Sequence, residues 1–257
     1  MPASSAAIPG PGSMSDAEWQ LRTDLAACYQ LAAHFGWDDL IYTHISARVP
    51  GSDHHFLINP YGMMFEEITA SSLIKIEFDG RKVDDTPWPV NEAGFIIHSA
   101  VHMGRESAGC VMHLHTMDGV AVSAMDEGLM PINQMAIVAS GNAAYHEYEG
   151  PAFRPDERER LLASLGEKPT MILRNHGTLA VGPSIPEAFL AMYMLERACT
   201  TQVRSLAGGG KLHPVEPEAS EFTRQVAISH ADPAHAKNMV WPAMLRLLDR
   251  KGSTYKE

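Results

Sequence analysis

Three histidines in this 257-residue chain have the residue type and the spacing of a metal centre. His113 and His115 lie two residues apart in a segment that reads as a β-strand, so both imidazoles should point to the same face. His176 ends a second predicted strand and is followed by Gly177. If the two strand ends are neighbours, three neutral imidazoles converge on one point. Three protein ligands and one open position are typical of a catalytic metal site rather than a structural one.

The elements that must position these histidines are short strands and helices of very different lengths. The hydrophobic pattern predicts strands near residues 44–49, 56–58, 74–78, 110–115 and 170–174, and helices near residues 16–35, 92–103, 185–206 and 240–248. Strand and helix do not alternate regularly, which indicates one α/β domain with a mixed or antiparallel sheet. We therefore expect a disordered tail over residues 1–15, a domain over residues 16–210, and a C-terminal arm with a helix over residues 211–257.

The composition excludes several classes of function. The net charge is −11, whereas a protein that binds duplex nucleic acid needs a basic surface. No run of apolar residues is long enough for a transmembrane helix, so we expect no membrane partner. The N-terminus has neither the basic segment nor the apolar core of a secretory signal. Three widely spaced cysteines argue against a disulfide framework and predict a reducing, cytoplasmic location.

A His-x-His pair alone is also compatible with two half-buried imidazoles that bind no metal, but here the pair belongs to an ordered set of motifs. The set comprises residues 91–100 (Asn-Glu-Ala-Gly-Phe-Ile-Ile-His-Ser-Ala), His113-Leu114-His115-Thr116, residues 121–125 and Arg174-Asn175-His176-Gly177. Through these motifs the chain resembles the class II aldolase/adducin family over roughly residues 20–210, and it is more similar to the adducin-like bacterial branch than to the fuculose-phosphate aldolases. The resemblance implies a three-layer α/β/α fold with a central mixed or antiparallel sheet. It also implies a homotetramer with metal sites near the subunit interfaces.

The resemblance further implies that His113, His115 and His176 bind one divalent metal ion, with zinc expected first and manganese, cobalt or iron as alternatives. In the aldolases the metal polarises a carbonyl group, and a nearby glutamate moves the proton at the adjacent carbon. Glu92 matches that glutamate when the motif is read from its N-terminal side, but the spacing to His98 puts Gly94 at the acid's place. Glu92 is thus a candidate catalytic base or fourth ligand, or else a first-turn residue that stabilises the helix dipole.

The segments that hold phosphate in the sugar-phosphate aldolases are different in this chain. Their small residues are replaced by Thr43-His44, and a Ser/Thr-Gly pair is replaced by Tyr61-Gly62. A nest of backbone N–H groups binds phosphate best when small residues let the anion approach. We therefore expect a substrate without phosphate, bound by His44, Tyr61 and Gly62, although His44 and Tyr61 could instead pack against a partner subunit.

Further candidates follow from single positions. Arg48 could bind a substrate carboxylate, or it could form an ordinary ion pair. Gln134 matches the tyrosine that donates a proton in fuculose-phosphate aldolase, so the usual acid is missing if Gln134 faces the substrate. His98 and His102 are four residues apart on a predicted helix and could form a second metal pair. An exposed histidine pair without a ligand role is the simpler interpretation.

The favoured hypothesis is a metal-dependent carbon–carbon lyase that acts on a small, non-phosphorylated oxo or hydroxy acid by aldol cleavage or decarboxylation. Both reactions leave an electron pair on a carbon next to a carbonyl group, which a metal-bound oxygen can stabilise. One alternative is a non-heme iron oxygenase that cleaves an aromatic oxo acid, because three histidines leave positions open for substrate and O₂. Another alternative is a non-catalytic, adducin-like interaction module.

Overall fold

The computed structural model describes residues 14–52, 54–150, 156–229, 232 and 234–257, and only the backbone at residues 92 and 93. Residues 1–13 of the predicted tail therefore lie outside the described residues. Ser15 caps the first helix, because its side chain accepts a hydrogen bond from the backbone N–H of Glu18 at 3.2 Å. Within the described ranges, no helix has both the length and the apolar character needed to cross a membrane.

A seven-stranded sheet forms the centre of the fold. Its strands are β1 (His44–Arg48), β2 (His55–Ile58), β3 (Ile74–Glu77), β4 (Cys110–Leu114), β5 (Ala143–His146), β6 (Thr170–Leu173) and β7 (Gly177–Gly182). They lie in the order β3-β2-β1-β4-β7-β6-β5. Every neighbouring pair is antiparallel except β5 and β6, which are parallel. The sheet is therefore mixed, as the sequence predicts.

Helices cover both faces of this sheet. The described helices are α1 (Asp16–His34), α2 (Glu92–Gly104), α3 (Met117–Ser123), α4 (Gln134–Asn142), α5 (Glu157–Leu165), α6 (Ile185–Ala207), α7 (Pro217–Ser229) and α8 (Trp241–Arg250). On one face α1 packs on β1, and α6 packs on β4 and β7. On the other face α2 packs on β1 and β4, and α5 packs on β5. The predicted three-layer α/β/α arrangement is confirmed.

The alternation of side chains along β4 decides which face carries the histidines. Cys110, Met112 and Leu114 pack in the apolar cluster that contains α1 and α6. Val111 packs in the separate cluster that contains residues of α2 and α5. Because side chains two apart share a face, His113 points toward the α2 side of the sheet. The candidate metal ligands thus lie between the sheet and α2.

The C-terminal arm packs against its own chain. The indole N–H of Trp241 donates to Asp24 of α1 at 2.8 Å, and the Trp241 ring lies 5.6 Å from that of Phe189. Trp241 and Leu248 are both buried. Contacts from α1 and α6 therefore cover the face of the arm near Trp241 within the same chain.

Candidate metal centre

The predicted ligands come from neighbouring strands at the centre of the sheet. His113 lies in β4, His115 follows that strand directly, and His176 lies in the short turn between β6 and β7. The antiparallel register of β4 and β7 sets Leu114 opposite Thr178, so the end of one strand meets the start of the other. The three rings lie 4.7, 4.8 and 4.9 Å apart between centroids. Their ligand nitrogens all lie within 4.8 Å of one another.

Hydrogen bonds on the far side of two rings determine which nitrogen carries the proton. His113 Nδ1–H donates to the carbonyl oxygen of Thr178 at 3.0 Å, and His115 Nδ1–H donates to Asp39 Oδ2 at 3.2 Å. These hydrogen bonds use the Nδ1 atom of each ring and leave Nε2 as the atom available to a metal ion. Partners of this kind fix the orientation and the tautomer of histidines that bind metals.

The spacing of the Nε2 atoms provides a test of whether a metal ion fits. The Nε2 atoms of His113 and His115 are 3.1 Å apart. Zinc–nitrogen bonds of about 2.0–2.1 Å in a tetrahedral site place two ligand nitrogens about 3.3 Å apart. The residues present therefore fit a divalent metal ion, with His176 as the third ligand.

The pKa values of His113 and His176 also favour metal binding. Burial lowers the pKa of His113 well below its usual range, and the nearby histidines His176 and His115 lower it further. Burial and the neighbouring His115 lower the pKa of His176 to about 4. Both rings are thus neutral at pH 7, which is the form that binds a metal. His113 is buried, whereas His115 and His176 are half-buried, so solvent reaches one side of the triad.

Asp39 is the group that orients His115, and its removal gives a direct test. We expect Asp39→Ala to weaken metal binding by about 10–100-fold, because loss of a partner that orients a ligand has this effect. Competition with a coloured chelator measures the affinity. The neighbouring Asp38→Ala removes the same charge without touching His115 and should change the affinity less than about threefold. Equal losses in the two variants would assign the effect to charge rather than to orientation.

Strained backbone is concentrated next to this site. Among the residues that the structure describes, those other than glycine with a left-handed φ are Leu40 (51°), Thr43 (67°) and Asn175 (55°). Each directly adjoins a group of the site, respectively Asp39, His44 and His176. Such a conformation costs roughly 1–3 kcal/mol outside glycine, and it is most unusual for a β-branched residue such as Thr43. Backbone strain of this kind is a feature of functional sites.

A buried carboxyl group contacts both ligand segments from the other face of the sheet. Glu196 of α6 accepts hydrogen bonds from the hydroxyl groups of Thr116 at 2.5 Å and of Thr178 at 2.6 Å. Thr116 directly follows His115, and Thr178 lies two residues after His176. Glu196 therefore joins the segments that carry the ligands.

Glu196 should also give the protein a measurable pH dependence. Burial raises its pKa from 4.5 to about 7, although the two threonine hydrogen bonds oppose the change. Between these values the folded chain binds a proton that the unfolded chain has released, so the free energy of unfolding should fall as the pH rises and level off above pH 7. Each pKa unit corresponds to about 1.4 kcal/mol. Urea unfolding of the metal-free protein from pH 5 to pH 8 measures this slope, and Glu196→Gln should remove most of it. Identical slopes in the two proteins would contradict the assignment.

His44 lies beside the triad of histidines. It is the register partner of His113 across β1 and β4, and the two rings stack with centroids 6.4 Å apart. A Cβ atom at Gly94 would lie 2.5 Å from three atoms of the His44 ring. The ring therefore occupies the space that a side chain at position 94 would take. Burial, reinforced by His115 and His176, lowers the pKa of His44 to about 3.

The expectation that His98 and His102 form an exposed pair is wrong. Both are fully buried, because this face of α2 packs against β1 and β4. The hydroxyl oxygen of Ser46 lies 2.6 Å from His98 Nδ1 and 2.8 Å from His102 Nε2. Burial lowers the pKa of His102 to about 3. The pair is thus a neutral, hydrogen-bonded part of the interior next to the site.

The other predicted substrate-binding residues of this part of the sheet lie at opposite ends of their strands. Tyr61 and Gly62 follow β2 at the end of the sheet that carries His44, and Tyr61 N–H donates to the carbonyl oxygen of Pro89 at 2.9 Å. Arg48 lies at the opposite end of β1, where its guanidinium group donates to the backbone carbonyl oxygen of His102. That carbonyl contact, rather than the predicted ion pair, is its polar partner in the described chain.

Gln134 and Glu92 are not joined to the triad by any described contact. Gln134 is exposed at the first turn of α4. Glu92 begins α2, and its side chain lies outside the described part of the chain, so its role stays a prediction.

Several residues of the site were not found from the sequence. Ser46 shares the two-residue periodicity of His44 along β1, but the sequence does not show that this face meets α2. Glu196 carried a usable signal, since an acid among Met192, Leu195 and Cys199 on an apolar helix face is unusual. Asp39 precedes a left-handed residue in a connection, and no pattern in the sequence identifies it.

Comparisons with known proteins identify relatives of this chain. Residues 23–203 match the family model described as the class II aldolase and adducin N-terminal domain. A Caulobacter vibrioides protein provisionally named an aldolase class 2 protein is 52% identical over 248 residues, which cover 96% of this chain and 95% of that protein. The L-fuculose 1-phosphate aldolase of Glaciozyma antarctica is 26% identical and superposes with a TM-score of 0.81, covering 100% of this chain and 97% of that one.

An adducin is also similar to this chain. Mouse alpha-adducin is 48% identical over 193 residues, which represent 74% of this chain but only 26% of the adducin. The similarity is therefore to one part of a much longer protein.

Proposed function

This chain belongs to the class II aldolase and adducin family, and from that membership we propose that it is a metal-dependent carbon–carbon lyase. The observation that carries the proposal is the triad of His113, His115 and His176, whose ligand nitrogens converge within 4.8 Å and include two Nε2 atoms 3.1 Å apart. When bound, a divalent cation supplies Lewis-acid polarisation of a substrate oxygen. Zinc is our first expectation for that cation, with manganese, cobalt and iron as alternatives.

The protein groups around the triad have distinct proposed roles. His113 and His115 hold the cation with rings that Thr178 and Asp39 orient. Glu92 moves the proton at the carbon next to the substrate carbonyl group, from the first turn of α2. The backbone of that turn passes beside His44, as the close approach at Gly94 requires.

The proposed substrate is a small oxo or hydroxy acid without phosphate. A phosphate group needs small residues around a nest of backbone N–H groups. At the corresponding positions this chain has a buried imidazole at His44 and a half-buried phenol at Tyr61. The L-fuculose 1-phosphate aldolase is thus a relative in fold whose phosphorylated substrate we do not extend to this chain. Gly62 and Tyr61 border the proposed substrate site, with Arg48 and Gln134 as more distant candidates.

We also propose a homotetramer with the metal centre close to a subunit interface. Large apolar side chains are exposed beside the ligand residues, since Leu40 is 62% and Met117 85% accessible. Tyr42 is exposed in the same connection as Leu40. Light scattering should give four times the 28.1 kDa of one chain. A monomer mass at micromolar concentration would contradict the tetramer.

The decisive experiment is elemental analysis of protein purified anaerobically without chelator. Near-stoichiometric zinc, manganese or cobalt supports the lyase, and NMR then follows cleavage or decarboxylation in a panel of oxo and hydroxy acids. Stoichiometric iron with O₂ uptake on aromatic oxo acids would favour the iron oxygenase.

The similarity to alpha-adducin supports a second candidate function, a non-catalytic interaction module. A complete triad with oriented rings argues for the lyase instead, because a binding module has no need of three convergent ring nitrogens. A protein that takes up no metal even after reconstitution would overturn the lyase and leave the interaction module.

A further inference from the structure

A second group of histidines lies beside the metal ligands on the same face of the sheet. His44 is the register partner of His113, and His98 of α2 lies over His44 with ring centroids 5.6 Å apart and planes at 86°. His44 is 5% exposed, and His98 is completely buried. Among the described residues, no acidic side chain forms a hydrogen bond or an ion pair with either ring. Their hydrogen bonds therefore decide what this group can bind.

A chain of hydrogen bonds fixes the tautomer of His98. It starts at the carbonyl oxygen of Ala108, which can only accept, so His102 Nδ1 donates to it at 3.0 Å. His102 is neutral because burial lowers its pKa to about 3, and its Nε2 must then accept the hydroxyl proton of Ser46 at 2.8 Å. Ser46 has no second proton, so His98 Nδ1 donates to its oxygen at 2.6 Å.

This series of hydrogen bonds ends at a lone pair of His98. Burial lowers the pKa of His98 well below its usual range, so the ring is neutral and its Nε2 carries no proton. This nitrogen has no hydrogen-bond partner in the part of the molecule that the structure describes, and neither have the two ring nitrogens of His44. A buried polar atom that stays unpaired is strongly unfavourable. Three such atoms beside the metal ligands indicate a place where a polar ligand group is bound.

We propose that His44 and His98 form a polar subsite beside the metal ligands that binds a hydroxyl group of the substrate. A hydroxyl group donates one hydrogen bond to the lone pair of His98 and accepts one from a ring N–H of His44, whose nitrogens have no other partner among the described residues. An ionised carboxylate or a phosphate dianion can only accept, and its oxygen would face the lone pair of His98. The inference rests on the proposed function, because it names the substrate group bound next to the metal.

Two small metal-binding probes test the subsite. Acetohydroxamate and glycolohydroxamate both bind metals through the same hydroxamate group, but only glycolohydroxamate carries a hydroxyl group. Titration calorimetry on the metal-loaded protein should give an affinity at least about tenfold higher for glycolohydroxamate, because a site built around a hydroxyl group rejects the analogue that lacks it. Equal affinities of the two probes would overturn the proposal.

Two variants locate the selectivity. Ser46→Ala removes the acceptor that fixes the His98 tautomer, and His98→Phe removes the lone pair, so each should reduce the affinity ratio to about one to three. Ser99→Ala is the matched control, since Ser99 is a buried serine of α2 whose hydroxyl donates to the carbonyl oxygen of Ile96. It should keep the wild-type ratio. If Ser46→Ala kept the wild-type affinity ratio, the series of hydrogen bonds would not be what fixes the selectivity.

A separate readout distinguishes this inference from the proposed function. Long-range proton–nitrogen NMR of protein with ¹⁵N-labelled histidine reports each neutral tautomer, and His98→Phe assigns the signal. We expect His98 to be protonated at Nδ1 with or without metal, and an Nε2–H tautomer would overturn the subsite. If neither hydroxamate binds and no metal is retained, the lyase fails, while the tautomer still tests the subsite.

Discussion

Replacing His113 by alanine should abolish tight metal binding while the chain remains folded. His113 is the most buried ligand, and its Nε2 lies 3.1 Å from that of His115. Loss of a partner that only orients a ligand already weakens binding by about 10–100-fold, so loss of a ligand itself should exceed about 100-fold. Elemental analysis after dialysis against a weak chelator measures the effect, and circular dichroism checks the fold.

Two further variants keep this test interpretable. His176→Ala removes a half-buried ligand from a turn, so it should also lose the metal with less effect on the core. His213→Ala removes an exposed histidine from the segment between α6 and α7 and should leave the metal content unchanged. Full metal occupancy in both His113→Ala and His176→Ala would show that the triad is not the binding site.

Replacing Gly177 by alanine should damage stability and metal binding together. A Cβ atom at this position would lie 2.4 Å from the backbone carbonyl oxygen of Leu114 and 3.1 Å from His115 Cδ2. Backbone cannot move aside as a flexible side chain can, so β7 must shift away from β4 where the ligands lie. We expect the free energy of unfolding to fall by about 1–3 kcal/mol or more. Because the shift separates His115 from His176, the metal affinity should fall at least about tenfold.

Gly208 offers the matched control for this substitution. It caps α6 with a φ of −76°, and an added Cβ would meet no atom within 4 Å. Gly208→Ala should therefore be neutral or stabilising by up to about 1 kcal/mol, as is usual where alanine fits without strain. Urea unfolding and chelator competition on both variants give the comparison. Equal stability of the two variants would show that β4 and β7 tolerate the methyl group.

The triad could be predicted from the two-residue period of a β-strand and from the order of the family motifs. The two-residue period of a strand places His113 and His115 on one face, and the family motifs connect them with His176 although 60 residues intervene. The mixed or antiparallel sheet followed from the irregular order of strands and helices, and the three layers were implied by the family resemblance. These features need only periodicity and motif order, which a sequence displays directly.

The surroundings of the triad depend on which faces meet, and a sequence does not display that. The spacing of His98 and His102 shows that they share a helix face, but only the packing of α2 on the sheet buries them. Asp39 reaches His115 from a connection whose path is set by tertiary contacts. The direction of the hydrogen bonds between Ala108 and His98 likewise becomes clear only when Ser46 is placed between the two histidine rings.

The left-handed backbone at Leu40, Thr43 and Asn175 also bears on how this protein can evolve or be engineered. Mutations that relax these positions act directly beside Asp39, His44 and His176, so a search for heat resistance would favour variants with displaced ligands. Such selection commonly trades activity for stability at strained sites. Stabilising changes should instead be sought away from this end of the sheet, for example in the exposed segment around Gly208, where neither a ligand nor its neighbours would move.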